Sequence, residues 1–420
     1  MFVQIKDLQI FKKKALNWAN SFEICCLLDS NQYQDPYSKF DLLIAAGTVD
    51  FISSKESSTS FDQLNEFRKK HAGWIFGGLG YDLKNEIEDL SSKNPDFLNF
   101  PDLFFFAPQH LLLLKGDVLE IISDDAKQIW KNINDLDIEQ SFLAPKVDIN
   151  CRFTKTDYLD TVNEIKKEIA QGNIYETNFC IEFYAEQINL QPTHTFNQLN
   201  TLSPSPFSNY FKWFDQYILS ATPERFLSKR GRKLISQPIK GTAKRSLNLL
   251  EDEQIKKDLV NHPKEQQENV MIVDLVRNDL TKSAKKGTVK VEELFGVYSF
   301  KQVHQMISTV VCELDDAISN AYVLKNSFPM GSMTGAPKIK AMQLMEKYER
   351  SKRGMYSGAV GYFSPDDDFD FNVIIRSILY NERTKYLSFQ VGSAITYYAE
   401  PEKEYEECLL KVKAILEIFT

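Results

Sequence analysis

No pair among the six cysteines has the Cys-x-x-Cys spacing of a zinc site. Their scatter, at Cys25, Cys26, Cys151, Cys180, Cys312 and Cys408, suits a reducing compartment better than a disulfide framework. No uninterrupted apolar stretch is long enough to span a bilayer. The opening Met1–Asp7 lacks the basic-then-apolar pattern of a secretion signal, so a cytoplasmic protein is expected. Basic charge is in deficit: 50 Lys and Arg against 58 Asp and Glu leave a net charge of −8. That disfavours a nucleic-acid binder, which needs a basic face against phosphates. It still allows an anionic small substrate, because a local basic pocket can sit in an acidic protein. Short-period repeats and low-complexity tracts are absent. So are the Gly-x-x-x-x-Gly-Lys-Ser/Thr spacing of a phosphate loop and a nucleophilic cysteine in a glycine-rich elbow.

What remains is a chain of 420 residues, 43 % apolar and 26 % charged, the balance of a globular enzyme with a large core. Residues 24–28 and 41–46 read as strands, with Cys25-Cys26 as buried strand filler. The run Gly73–Tyr81 reads as a strand rich in close-packing glycines. Phe104–Phe106 and Leu111–Leu114 read as two strands across a turn at 107–110. Residues 115–122 continue that meander, and 124–139 read as a helix. A connector is expected over 141–152, dividing an N-terminal region, 1–145, from a second region, 152–420. Beyond it, Thr154 with Asp157 forms a capping box for a helix that Gly172 closes. Strand signals dominate thereafter, at 217–219, 225–228 and 234–239. The pattern predicts an α+β fold with large, mostly antiparallel sheets and helices outside.

Several local arrangements could carry chemistry. Lys240 stands in Gln237-Pro238-Ile239-Lys240-Gly241-Thr242, between a residue that fixes φ and one that permits conformations closed to others. A lysine held rigidly and desolvated there would have a lowered pKa and act as a nucleophile; taken alone, the same motif also describes a surface turn. Glu265 and Glu268 follow Pro263 at i,i+3 spacing, and Glu404 and Glu407 follow Pro401 in the same way. Two such pairs brought together could hold Mg²⁺, though each singly is also what a solvated first helical turn looks like. The loop Phe328–Lys338 holds two glycines, Ser332 and Thr334 ahead of Pro337, placed as the first residue of a helix running to about 349. Such a turn can point N–H groups at a carboxylate. Arg376, after a strand at 371–375, offers a fork for a carboxylate. Arg277 and Asp279 read as a structural pair, and His304 as a histidine on an apolar element, open to a core or a catalytic role.

Together these segments resemble the chorismate-utilising enzymes: anthranilate synthase component I, aminodeoxychorismate synthase component I, isochorismate synthase and salicylate synthase. The resemblance is dense from about residue 152 onward. It rests on Pro238–Arg245 (PIKGTAKR), Glu268–Leu280 (ENVMIVDLVRNDL), Phe328–Lys338 (FPMGSMTGAPK), Arg353–Phe363 (RGMYSGAVGYF) and Gly392–Lys411, in that order. It implies two packed antiparallel sheets forming a sandwich, with helices outside and the site in a cleft. It also implies a Mg²⁺ held by Glu265, Glu268, Glu404 and Glu407, and an active-site histidine at His304. Thr242, Ser332, Tyr356, Arg376, Gly392 and Lys411 fall at substrate-contacting positions, and Glu224 at that of a general acid or base.

Within the family, lysine at position 240 resembles the aminodeoxychorismate synthases, whose lysine attacks ring carbon 2 of chorismate before ammonia displaces it at carbon 4. Anthranilate synthases similar to this chain carry a small residue there. With no glutaminase motif in the chain, the resemblance implies a separate glutamine amidotransferase subunit as ammonia source, and a role in 4-aminobenzoate and folate synthesis. The alternative within the family is anthranilate synthase component I; outside catalysis, it is an anion-binding protein that keeps the scaffold. Glu176 departs from the pattern, since amino-transferring relatives usually carry glutamine there and the water-activating relatives a lysine. Ala394 departs as well, replacing the second glycine of Gly-x-Gly. Leu27-Leu28-Asp29-Ser30 resembles the segment lining a tryptophan pocket in relatives.

Overall fold

The computed structural model describes residues 1–137, 147–301 and 303–419. Residues 138–139 of the expected helix and 141–146 of the expected connector lie outside these. Among the described residues, twenty strands join into one continuous sheet in which every ladder is antiparallel.

The sheet has two wings. One runs from Val118–Ile122 through Leu103–Lys115, Leu42–Ser54, Ile24–Asp29, Phe207–Trp213, Gln216–Thr222, Ser377–Asn381 and Tyr386–Thr396 to Glu176–Ala185. The other leaves Leu103–Lys115 through Ile75–Leu79, Ala359–Phe363, Phe369–Val373, Arg225–Arg230 and Lys233–Ser236 to Val303–Glu313, which also pairs with Ile239–Lys244 and Lys290–Ser299. The expected pair of separate sheets is therefore one sheet, because two long strands, Leu42–Ser54 and Leu103–Lys115, belong to both wings. Strands from before and after residue 145 alternate within it: Ile24–Asp29 lies against Phe207–Trp213.

The turn expected at 107–110 does not exist; Leu103–Lys115 is one strand. Pro108 lies within that span. It sits opposite Thr48, where the ladder register is irregular between Thr48 and Asp50, so its missing N–H interrupts no regular pairing.

Side-chain alternation divides the core in two. From the strand Ile24–Asp29, Ile24 and Cys26 enter a cluster with Phe104–Phe106, Phe211, Phe363 and Phe371, drawn from both wings. Cys25 and Leu27 enter a second cluster, against helices Leu8–Asn20, Lys155–Ala170, Pro192–Leu202 and Pro401–Phe419. Burial of a side chain of this size contributes about 1.5–3 kcal/mol. The Cys25 thiol, fully buried, is pushed up to about 12.

The helix ends follow local chemistry. Thr154 Oγ1 accepts from Asp157 N at 3.1 Å and the Asp157 carboxylate accepts from Thr154 N at 3.3 Å, completing the box. Gly172 takes φ +80° after that helix, as its position predicts. Helices Pro263–Thr281 and Pro401–Phe419 both open on proline, which puts Glu265 and Glu404 in their first turns and Glu268 and Glu407 in the turns that follow. Pro337 caps the helix Lys338–Tyr348 from just outside rather than opening it. None of the helices among the described residues is long and apolar enough to cross a membrane.

Candidate active site

Lys240 lies on the short strand Ile239–Lys244, at an irregularity between Ile239 and Thr242 in its ladder with Val303–Glu313. Gly241 takes φ +94° there, and a Cβ on it would meet Glu265 Oε2 at 3.0 Å. A side chain at 241 would thus be strained and would crowd the acid. The kink leaves the Lys240 side chain 11 % exposed, with Nζ donating to Glu176 Oε1 at 2.8 Å. Glu176 opens the strand Glu176–Ala185, opposite Thr396 on one side and Ala336 on the other. Its Oε2 is buried with no hydrogen-bond partner.

Burial pulls the Lys240 pKa down, but the carboxylates of Glu176 and Glu268 outweigh it and the net shift is upward. This corrects the expectation of an amine freed by desolvation: at rest the group is an ammonium in a buried ion pair. The sequence showed the lysine's rigid setting without showing the carboxylate that closes on it from another strand.

Two of the four acids of the two helices lie against one cation, and the charges of the other two reach it. Lys264 Nζ lies 3.6 Å from Glu268 Oε1 and 3.5 Å from Glu404 Oε1. Burial lowers the Lys264 pKa, but Glu268, Glu404, Glu265 and Glu407 together raise it overall. Glu268 is pushed up to about 7, first by burial, and its buried Oε1 has no hydrogen-bond partner. Burial and the charge of Glu407 raise Glu404, whereas Lys411, at 2.7 Å, lowers Glu407. Among the described residues no group of three or more His, Cys, Asp or Glu is drawn tightly enough to form a metal centre. Glu268 and Glu404 share Lys264 instead. An all-carboxylate donor set with an unbonded oxygen is still the chemistry of a hard divalent cation. Lys264 went unnoticed in the sequence, although its i,i+4 spacing to Glu268 was a signal.

Beyond Lys240 lies Glu224, buried and pushed up to about 7 by that burial against the opposing charges of Lys240, Arg376 and Lys411. Ser332, in the short turn Gly331–Met333, donates to Glu224 Oε1 at 2.6 Å. Arg376 takes φ +50° just past Phe369–Val373; burial lowers its pKa and Glu224 opposes that. Among the described residues its guanidinium makes no hydrogen bond or ion pair, so a half-buried fork lies in the field of Glu224 with its donors open. Lys411 also donates to Gly392 O at 2.9 Å, and a Cβ on Gly392 would meet the Asn178 amide at 2.7 Å. Lys240, Glu176, Glu224, Ser332, Arg376, Lys411, Gly392 and the four acids thus form one connected set.

Other sequence candidates lie differently. Thr242 is exposed on the Lys240 strand. Tyr356 is buried among Cys180, Arg353 and Glu349. His304 is fully buried, with Nδ1 2.8 Å from Ser299 Oγ and Nε2 2.9 Å from Asp252 Oδ1, so both ring nitrogens have protein partners. Arg245 in turn holds the Asp252 carboxyl well below its ordinary range. Arg277 pairs with Asp274, and Asp279 with Lys338 and Lys282, which corrects the expected Arg277–Asp279 pair. Two residues apart on a helix point to different faces; three apart they meet. Leu28, Asp29 and Ser30 line a cavity of 60 Å³ with Pro206, Phe207 and Ser208. Arg353 and Glu349 form a buried pair that sequence reading passed over, despite their i,i+4 spacing.

Comparison with known proteins bears on this arrangement directly. Residues 23–417 match the family described as chorismate binding enzyme. An aminodeoxychorismate synthase of Streptomyces griseus is 33 % identical over 82 % of this chain and 50 % of its own. An anthranilate synthase component I-like protein of Synechocystis is 32 % identical over 82 % of this chain and 72 % of its own. Aminodeoxychorismate synthase component 1 of Escherichia coli is 29 % identical over 93 % of this chain and 92 % of its own. Among solved structures, anthranilate synthase component I of Streptococcus pneumoniae superposes with a TM-score of 0.79 at 24 % identity, covering 91 % of this chain and 93 % of that one. A family match spanning nearly the whole length, on a fold that brings these acids and cations together, identifies the chain as a member of the chorismate-binding enzymes, the family of anthranilate synthase component I and aminodeoxychorismate synthase.

Proposed function

We propose that the protein is aminodeoxychorismate synthase component I, converting chorismate and ammonia to 4-amino-4-deoxychorismate for 4-aminobenzoate and folate synthesis. The observation that carries this reading is the buried Lys240 amine, held between Glu176 and the acid cluster and within the field of Glu224. An amine in that place can form a bond to the ring and divide one hard displacement into two easier ones. Glu224, holding its proton up to about pH 7, can donate to the departing 4-hydroxyl. The open guanidinium of Arg376 suits a substrate carboxylate, and Ser332 fixes the Glu224 carboxyl in place.

Glu265, Glu268, Glu404 and Glu407 would hold Mg²⁺ in the place Lys264 now takes, supplying positive charge for a substrate carboxylate. Ammonia would come from a separate glutamine amidotransferase subunit. A cytoplasmic setting agrees with six free cysteines.

Anthranilate synthesis is the second reading, since relatives of both kinds match at similar identity. Product analysis with chorismate, Mg²⁺ and ammonium separates the two. Fluorescent anthranilate appearing directly would overturn our reading; 4-aminobenzoate appearing only when a lyase is added would support it.

A second test addresses the acids. Glu268→Gln should weaken Mg²⁺ binding by about tenfold or more in a calorimetric titration of the protein without substrate. An unaltered titration would remove Glu268 from the set.

A further inference from the structure

Lys240 cannot attack carbon while its nitrogen carries three protons, so a bond to the ring requires a group that removes one. The carboxylates whose charges reach it are Glu176 from its strand, Glu268 from the helix Pro263–Thr281, Glu407 from the helix Pro401–Phe419 and Glu224 from the loop after Gln216–Thr222. Three are otherwise engaged. Glu224 accepts from Ser332, Glu407 pairs with Lys411, and Glu268 faces Lys264. Glu176 alone among the described residues touches the amine, at 2.8 Å, and its side chain is 2 % exposed. Its second oxygen is buried and unbonded, so the carboxyl gives up no other hydrogen bond on accepting a proton. Transfer within the pair would turn two buried charges into two neutral groups, a change that burial favours.

Resting on the reading of Lys240 as nucleophile, we infer that Glu176 is the positioning residue that acts through it: Glu176 takes the proton of Lys240 before the carbon–nitrogen bond forms and returns it when the lysine is expelled. The steps balance. The ammonium and carboxylate become amine and carboxylic acid. The amine lone pair forms the bond to ring carbon 2, both ring double bonds shift by one position, and the bond from carbon 4 to oxygen breaks. The hydroxyl leaves as water with a proton from Glu224, and the lysine nitrogen becomes a secondary ammonium. The ammonia lone pair then bonds carbon 4, both double bonds shift back, and the bond from carbon 2 to nitrogen breaks. Lys240 departs as a neutral amine and Glu176 reprotonates it; the product carries an ammonium, and Glu224 regains its proton from solvent.

The test is the rate of adduct formation on Lys240, trapped and located by peptide mass, as a function of pH in wild type, E176Q and E176D with chorismate, Mg²⁺ and ammonium. E176Q has the same shape and still accepts a hydrogen bond, so the lysine stays placed. At pH 7 its adduct rate should fall about 100-fold and climb as the pH rises, a climb wild type lacks. E176D, which draws the carboxylate back by one carbon, should lose about tenfold and keep the wild-type profile. If E176Q does not fold, E176D decides alone: a wild-type rate in that variant would overturn the inference. Wild-type rate and profile in folded E176Q would overturn it while leaving Lys240 as nucleophile. Absence of any adduct in wild type would overturn the Lys240 reading, and the inference with it.

Discussion

Lys240→Ala should reduce formation of 4-amino-4-deoxychorismate by about 10³-fold or more, the scale seen when a covalent nucleophile is removed. The loss should come with a change of product. With the side chain cut back, ring carbon 2 is no longer shielded by the lysine. Ammonia can then reach the carbon that the amine occupied, and attack there leads to the ortho product, anthranilate. A trace of direct anthranilate fluorescence beside vanished lyase-coupled 4-aminobenzoate is the expected result. Unchanged turnover would exclude a covalent role for the lysine.

The variant has a structural consequence that must be measured alongside. Removing one partner of a buried pair leaves Glu176 uncompensated, at about 3–5 kcal/mol if it stays charged. Activity is therefore scored per folded molecule. Lys240→Ala combined with Glu176→Gln, which removes the stranded charge, should recover stability without recovering activity.

Sequence and structure agree where the chemistry is local. The capping box at Thr154, the prolines opening the two acidic helices and the positive φ of Gly172 are each set by neighbours within four residues, and each was legible. Reading fails where a partner is distant. Lys240 and Glu176 are 64 positions apart, and nothing local to either announces the ion pair. Desolvation alone therefore gives the shift of the lysine's pKa the wrong sign. Pro108 shows the converse: a strong local signal for a turn, overridden because the ladder is already irregular opposite it. With Leu42–Ser54, the strand it lies on turns two expected sheets into a single sheet. Family resemblance placed Ser332, Glu224, Arg376 and the four acids together, and the structure brings them into one electrostatic neighbourhood. It also gives His304 partners of its own, Ser299 and Asp252, which no motif named.

The second large effect concerns stability and reaches the site through the turn that carries Ser332. Arg353 is 1 % exposed, and its guanidinium grips Glu349 by two bonds, at 2.7 and 3.0 Å. It also donates to Met333 O at 2.6 Å and to Asn178 O at 2.8 Å, and Glu349 accepts from Cys180 N at 3.0 Å. The pair thus ties the turn Gly331–Met333 to the strand Glu176–Ala185, joining the backbones that position Ser332 and Glu176. Arg353→Met keeps most of the volume but leaves the buried Glu349 carboxylate without its cation and takes the guanidinium from two buried carbonyls. The expected cost is about 3–5 kcal/mol in denaturant unfolding, because the stranded charge has no water to turn to. Glu349→Leu in the same background should restore a large share, since replacing both charges removes the desolvation penalty. A double-mutant cycle measures that coupling. Should Arg353→Met cost less than about 1 kcal/mol, this pair would not be what holds the turn against the strand. Activity should fall further than stability in the single variant, because a loosened turn releases Ser332 from Glu224.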